Sequence, residues 1–174
     1  MVGARRSYRL HYEKGWNVTI RKATSDDAEE LLRLVEALAE YERLPPPDHA
    51  AKRRLVADMT LEHPRFEAYL AIMNGRSVGY AIVLETYSSF LALPTLYLED
   101  IFVLPEFRGI GAGFALFQTI VGEAQRRGCG RMEWAVLEWN KPAINFYERL
   151  SAVRLHDWQH YRLTASDFER ILSR

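Results

Sequence analysis

Three glycines within six residues, Arg108-Gly109-Ile110-Gly111-Ala112-Gly113, stand between a predicted strand and a predicted helix. A chain with this turn needs a fold in which a strand leads directly into a helix. Glycine lets the backbone turn sharply and leaves its N–H groups bare, and the following helix adds the positive end of its dipole. Such a turn suits an anion as large as a diphosphate, with charge-assisted hydrogen bonds from Arg108. The alternative is a glycine-rich turn that binds no ligand.

The spacing of these glycines excludes two common nucleotide sites. A dinucleotide-binding turn needs a glycine where this chain has Phe114, and no Lys-Ser or Lys-Thr pair closes a phosphate loop of the NTPase type. Overall charge also speaks against nucleic acid as a partner, because 23 basic and 23 acidic side chains cancel to +0. The turn therefore predicts a phosphorylated ligand other than ATP or NAD.

The pattern of apolar residues predicts a mixed α/β fold. From Val18 the chain reads as a strand, two helices, a meander of three strands, a helix, a strand, a helix and a last strand over residues 161–163. Asn74-Gly75 marks the first hairpin of the meander, and Asp48 can cap the second helix. We expect a central, mostly antiparallel sheet flanked by helices.

The 174 residues fit one domain, which we expect to span residues 17–174. Residues 1–16 are basic, and we interpret them as a flexible extension, with an organelle-targeting or partner-binding arm as the alternative. No stretch approaches the roughly 20 apolar residues that span a bilayer, so we expect no membrane partner. The single Cys129 suits a reducing cytoplasm.

Histidine spacing predicts no metal site. None of the five histidines stands at a metal-ligand spacing from carboxylates; they are His11, His49, His63, His156 and His160.

Two motifs of the chain are typical of one known family. The first is Arg108-x-x-Gly111-x-Gly113 after a strand, and the second, one strand later, is Asn140 followed by a helix with Tyr147. In these two motifs the chain resembles the GCN5-related N-acetyltransferase (GNAT) family. The resemblance covers nearly all of residues 18–163 and implies that family's acyl-CoA N-acyltransferase fold. Within the family, the runs 37–42, 97–103 and 138–147 resemble the diamine branch, which comprises spermidine/spermine and thialysine N-acetyltransferases. This resemblance implies that the glycine turn holds the pyrophosphate of acetyl-CoA, the cosubstrate.

The resemblance also implies roles for two side chains in acetyl transfer. Glu99 would act through water as general base, because an alkylammonium of pKa roughly 10 must lose a proton before it attacks. Tyr147 would protonate the departing thiolate. The alternatives are a solvated strand edge for Glu99 and a core aromatic for Tyr147. Adjacent strand residues face opposite sides, so Glu99 and Asp100 share one role only if a bulge intervenes.

Two binding sets follow from the same resemblance. The backbone of residues 101–103 would pair with the pantetheine amides. The expected cofactor set is Ile101, Phe102, Val103, Arg108, Gly109, Ile110, Gly111, Ala112, Gly113, Asn140 and Phe146. An acidic, aromatic-edged pocket for a small polycation would contain Tyr41, Glu42, Phe90, Asp100 and Glu138, with cation–π contacts from Tyr41 or Phe90. A helix cap is the alternative for Asn140, and an exposed helix residue is the alternative for Glu42.

Two departures from the diamine branch affect the acceptor. Polyamine acetylases carry an acid and a tryptophan where this chain has Tyr87-Ser88-Ser89-Phe90, so a lysine-like or other small amine fits as well as a polyamine. Ser151 replaces a family glycine after the Tyr147 helix. We expect a cytoplasmic, homodimeric acetyl-CoA-dependent N-acetyltransferase that acts on a small cationic primary amine by direct transfer in a ternary complex. The alternatives are a protein lysine or N-terminal acetyltransferase and a non-catalytic acyl-CoA-binding sensor.

Overall fold

The computed structural model describes residues 7–11 and 17–173, and a six-stranded sheet lies at the centre of these residues. Neighbouring strands follow chain order; the first five pair antiparallel, and the sixth pairs parallel with the fifth. The strands are β1 (Ser7–His11), β2 (Asn17–Lys22), β3 (Glu67–Met73), β4 (Arg76–Ser88), β5 (Leu93–Val103) and β6 (Arg131–Glu133). The expected α/β fold with a mostly antiparallel sheet is confirmed.

Local sequence signals explain where the helices begin. The helices are α1 (Ala28–Glu42), α2 (His49–Met59), α3 (Ala112–Arg126), α4 (Lys141–Arg149) and α5 (Ala165–Leu172). Asp48 caps α2, since its carboxylate accepts a 2.7 Å hydrogen bond from the Ala51 amide. Thr24 and Asp27 form a capping box at the 3-10 turn that leads into α1.

The chain folds as two compact units, Met1–Ala135 and Val136–Arg174. In the first unit, α1 covers one face of the sheet with Leu31 and Leu34, which pack into a buried cluster with Leu70, Tyr80 and Phe102. Successive strand residues point to opposite faces of the sheet, and α3 packs against the face opposite α1. There a Cβ on Gly113 would lie 3.8 Å from the side chain of Val103, so the end of β5 sits close under the start of α3.

The N-terminal part of the chain contains a strand within the range expected to be a flexible extension. Ser7–His11 pairs antiparallel with β2, with Ser7 opposite Arg21 and His11 opposite Asn17. Backbone hydrogen bonds join this segment to the edge of β2. The basic composition of residues 1–16 does not predict this pairing. The remaining residues of 1–16 lie outside the described residues, and a role for them stays a prediction.

The expected strand over residues 161–163 is wrong. The segment carries no strand, and Tyr161 is 89% exposed, so it buries no apolar face that would hold it in a sheet. The apolar pattern also predicts a strand over residues 132–137, but the observed strand β6 ends at Glu133. Across residues 17–173, no helix is long and apolar enough to cross a membrane.

Candidate active site

The glycine turn enters α3 through two residues with left-handed backbone. Gly109 has φ +76° and Gly111 has φ +91°, a region that favours glycine. Gly111 is the N-cap of α3, and it offers no side chain to cap the amides of the first helical turn. A Cβ on Gly109 would meet nothing within 4 Å, so the space beside this residue is open. The turn therefore leads into the N-terminus of a fifteen-residue helix, whose positive dipole end favours an anion.

A β-bulge lies in β5 at Glu99. Ile82 of β4 pairs with Asp100, but the next residue, Val83, pairs with Leu98, so Glu99 is the extra residue of the bulged strand. The sequence required such a bulge if Glu99 and Asp100 were to act together. Glu99 is exposed and Asp100 is mostly buried, yet their carboxyl groups are close enough to interact electrostatically.

Three carboxyl groups form an acidic cluster, defined as Glu42, Glu99 and Asp100. Burial raises the pKa of Asp100 to about 6; the charges of Glu99 and Glu42 add to this, and a 3.1 Å hydrogen bond from the Tyr80 hydroxyl opposes it. Burial also raises the pKa of Glu42. Among residues 17–173, no lysine or arginine forms an ion pair with any of the three acids. The cluster therefore suits a cation supplied from outside the chain.

Arg108 lies against two aromatic rings. Its guanidinium carbon is 4.4 Å from the ring centroid of Tyr41 and 5.5 Å from that of Phe102, and its Nε donates a 2.9 Å hydrogen bond to the Val103 carbonyl. A groove of about 390 Å³ runs along these aromatic rings, lined by Ala37, Glu40, Tyr41, Phe102, Leu104, Pro105 and Glu106. One face of the Tyr41 ring is thus occupied by the guanidinium group of Arg108.

The end of β5 extends beyond its neighbour β6. The parallel pairing covers only residues 95–97 of β5, whereas the strand continues to Val103. Among the described residues, no strand pairs with the β6-facing edge of residues 98–103. The backbone at Ile101, Phe102 and Val103 can therefore pair with an extended amide chain.

Four of the expected site residues lie in the second unit. Asn140 caps α4, because its Oδ1 accepts a 3.3 Å hydrogen bond from the Ala143 amide. Tyr147 is buried, which raises the pKa of its phenol to about 12, and its ring packs edge-on to Phe146 at 5.4 Å. Glu138 is exposed and faces Arg154 at 3.5 Å. Their roles in a site stay predictions.

Phe90 is exposed at the tip of the β4–β5 hairpin. Its side chain is 97% accessible, and the hairpin closes with Ser88 opposite Leu93. Leu93 and Glu99 are about 20 Å apart along β5, at roughly 3.3 Å per residue. Within one chain, the structure does not bring Phe90 to the acidic cluster, and its part in acceptor binding stays a prediction.

Tyr80 contacts the acidic cluster, a contact that the sequence analysis did not predict. It is fully buried on β4, and its hydroxyl reaches Asp100. The apolar sequence around it, Val78-Gly79-Tyr80-Ala81-Ile82, indicates that Tyr80 is buried. A buried tyrosine hydroxyl needs a hydrogen-bond partner, so this sequence could have indicated a polar contact.

Known proteins resemble this chain over the region of the site. Residues 29–152 match the model of the Acetyltransferase (GNAT) family. A thialysine N-epsilon-acetyltransferase of Sus scrofa is 34% identical over 84% of this chain and 92% of that protein. An L-ornithine N5-acetyltransferase of Arabidopsis thaliana is 36% identical over 66% of this chain and 51% of that protein. The solved structure of an aminoglycoside N-acetyltransferase in complex with CoA superimposes with a TM-score of 0.70 and 21% identity, covering 88% of this chain and 99% of that one.

Proposed function

The chain belongs to the GNAT family of acetyltransferases, and we propose that it transfers acetyl from acetyl-CoA directly to a primary amine of a small cationic acceptor. The observation that carries the acceptor class is the acidic cluster, which contains three carboxyl groups and no described ion-pair partner. Relatives named for acetylating thialysine and ornithine, which are small diamino acids, support this class.

The residues around the glycine turn fit acetyl-CoA. We propose that residues 108–113 bind its diphosphate through backbone N–H groups and Arg108, which the positive φ angles of Gly109 and Gly111 support. The free edge of residues 101–103 would pair with the pantetheine amides. In this proposal Asn140 and Phe146 complete the cofactor contacts. The structural neighbour in complex with CoA supports the assignment.

Two side chains can take part in the proton transfers of the reaction. Glu99, exposed at the bulge, would accept a proton from the acceptor's ammonium through water. The neutral nitrogen then attacks the thioester carbon and the carbon–sulfur bond breaks. As the amide forms, the nitrogen loses its second proton through water, and a proton from water replaces the one that Tyr147 gives up. Tyr147 would donate its proton to the departing thiolate, and its pKa of about 12 keeps the phenol protonated at neutral pH. Direct transfer in a ternary complex needs no nucleophile from the chain.

We further propose that the protein acts as a homodimer in the cytoplasm. The second unit exposes large apolar side chains, including Trp158 (73%) and Leu163 (56%), and a second copy could cover them. The single Cys129 supports a reducing compartment.

A thiol-release assay with acetyl-CoA tests the proposal. The acceptors are diamines, polyamines, lysine analogues, aminoglycosides and a lysine-containing peptide, each assayed at the same concentration. We expect turnover with small diamines or lysine analogues and none with the peptide. Turnover with the peptide alone would favour a protein acetyltransferase. Binding of CoA by calorimetry without turnover of any acceptor would indicate an acyl-CoA sensor.

A further inference from the structure

A buried hydrogen bond links the sheet interior to the acidic cluster. Tyr80 lies in the middle of β4, is fully inaccessible to solvent, and donates from its hydroxyl to Asp100 Oδ2 at 3.1 Å. The pairing of Tyr80 with Phe102 and of Ile82 with Asp100 places the two side chains diagonally across adjacent strands. The Tyr80 and Phe102 rings pack at 6.4 Å, which fixes the position of the hydroxyl.

The surroundings of Asp100 make this hydrogen bond important. The titratable groups that face the carboxyl group are Tyr80 from β4, Glu99 from its own strand and Glu42 from α1. Among the described residues, Tyr80 is the only hydrogen-bond donor to it. The single donor therefore orients this carboxylate, and its hydrogen bond opposes the rise in pKa that burial and the neighbouring acids cause.

We propose that Tyr80 is a positioning residue, whose hydroxyl holds the Asp100 carboxylate in place to bind the ammonium group of the acceptor. This inference rests on the proposed function, because it assigns Asp100 to the acceptor. Tyr80 itself is closed off from solvent and acts only through Asp100. It deepens the proposed function by naming the residue that keeps one anionic anchor fixed.

Loss of the hydroxyl changes the pH dependence in a definite direction. The hydrogen bond lowers the pKa of Asp100, whereas burial and the two acids raise it, so Tyr80→Phe leaves only the raising effects. A hydrogen bond to a charged group corresponds to about one pKa unit or more, so the pKa of Asp100 should rise by about one unit. The neutral carboxyl group then binds a cation poorly over a wider range of acidic pH.

Kinetics of Tyr80→Phe against pH test the inference, and Tyr69→Phe is the matched control. Tyr69 is also a buried tyrosine of the sheet, on β3, but its hydroxyl contacts Glu67 and Arg127 away from the acidic cluster. We expect Tyr80→Phe to raise the KM for the amine about tenfold near pH 7 and to move its acidic limb up by about one unit. The KM for acetyl-CoA should stay within about twofold, and Tyr69→Phe should change neither quantity.

A second variant keeps the test sharp if Tyr80→Phe is unstable. Asp100→Asn retains an oxygen that accepts from Tyr80 but carries no charge, so the KM for the amine should rise and lose its acidic limb. Adding Tyr80→Phe to Asp100→Asn should then have little further effect on this KM. Additive effects of the two substitutions would overturn the inference.

The outcomes separate this inference from the proposed function. Normal acetylation by the wild type, with an unchanged KM and pH profile in Tyr80→Phe, would overturn the role of Tyr80 and leave the function intact. A wild type that acetylates no amine would overturn the function and the acceptor-binding role together. NMR titration of the ¹³C-labelled Asp100 carboxyl group in both proteins shows independently whether the hydroxyl sets its pKa.

Discussion

Tyr147 carries a proton at neutral pH, because burial raises the pKa of its phenol to about 12. The phenol can therefore donate a proton to a thiolate that forms beside it. We predict that Tyr147→Phe lowers kcat by roughly ten- to a thousand-fold, within the range of general-acid losses, and leaves CoA affinity nearly unchanged. Steady-state kinetics and calorimetry measure the two quantities. An unaltered kcat would remove Tyr147 from the chemistry.

Arg108 is held by a cation–π contact and by a hydrogen bond. The guanidinium lies 4.4 Å from the Tyr41 ring centroid and is hydrogen-bonded to Val103, which keeps it at the entrance to the glycine turn. Lysine has the charge but not the planar group that stacks and forms paired hydrogen bonds. We predict that Arg108→Ala weakens CoA binding about tenfold or more and that Arg108→Lys restores only part of the loss. Equal dissociation constants for Arg108→Ala and wild type by calorimetry would show that Arg108 does not contact the cofactor.

At the scale of an element, α3 has one glycine that its backbone requires and one that it does not. Gly111, the N-cap at the start of the helix, is required, and Gly122 in the interior is not. Gly111 adopts φ +91°, whereas Gly122 lies inside the helix and a Cβ there would meet nothing within 4 Å. Alanine at position 111 strains the backbone by about 1–2 kcal/mol and puts a methyl group in the proposed diphosphate site. Alanine at position 122 favours the helix by about 0.5–1 kcal/mol.

We therefore predict opposite effects of the two substitutions. Gly111→Ala should lower the Tm and weaken CoA binding, while Gly122→Ala should raise the Tm slightly and leave binding unchanged. Thermal unfolding and calorimetry on both variants check this. Wild-type affinity in Gly111→Ala would contradict the assignment of the turn to the diphosphate.

Elements set by local chemistry were predictable from the sequence. The Asn74-Gly75 hairpin, the Asp48 cap and the strand–turn–helix at Gly111 each depend on neighbours a few residues apart, and the structure confirms all three. The prediction of a strand over residues 161–163 was wrong. A strand needs a neighbouring strand for its backbone hydrogen bonds, and a short apolar run does not specify that neighbour.

The candidate site was predictable only in part, because its geometry depends on strand register. The sequence indicated Glu99 and Asp100 and required a bulge for both to act, but only the pairing of β4 with β5 places the bulge at Glu99. The contact of Tyr80 with Asp100 depends on the same register. The cation–π contact between Arg108 and Tyr41 joins residues 67 positions apart in the chain, which no local pattern reveals.

Across the whole molecule, two acids affect folding stability in opposite ways. Asp27 accepts two 2.6 Å hydrogen bonds from Arg21, which lower its pKa to about 2. Its contribution is therefore fully present above pH 3.8 and is lost as the pH falls toward 2. Burial raises the pKa of Asp100 to about 6, so the folded state binds a proton there that the unfolded state has released. The free energy of unfolding consequently increases as the pH falls from about 6 toward 3.8.

The raised pKa of Asp100 predicts that its ionised carboxylate lowers the free energy of unfolding at neutral pH. Asp100→Asn removes a buried charge and keeps an acceptor for Tyr80, so its Tm at pH 8 should exceed that of the wild type by about 2–5 °C. The difference should shrink as the pH falls from 6 toward 4, where the wild-type carboxyl group becomes neutral. Asp27→Asn should instead lower the Tm at pH 7, and this deficit should close only below about pH 4. Thermal unfolding of the three proteins between pH 3 and 8 measures both trends. A Tm for Asp100→Asn below that of the wild type at pH 8 would mean that the buried carboxylate stabilises the fold.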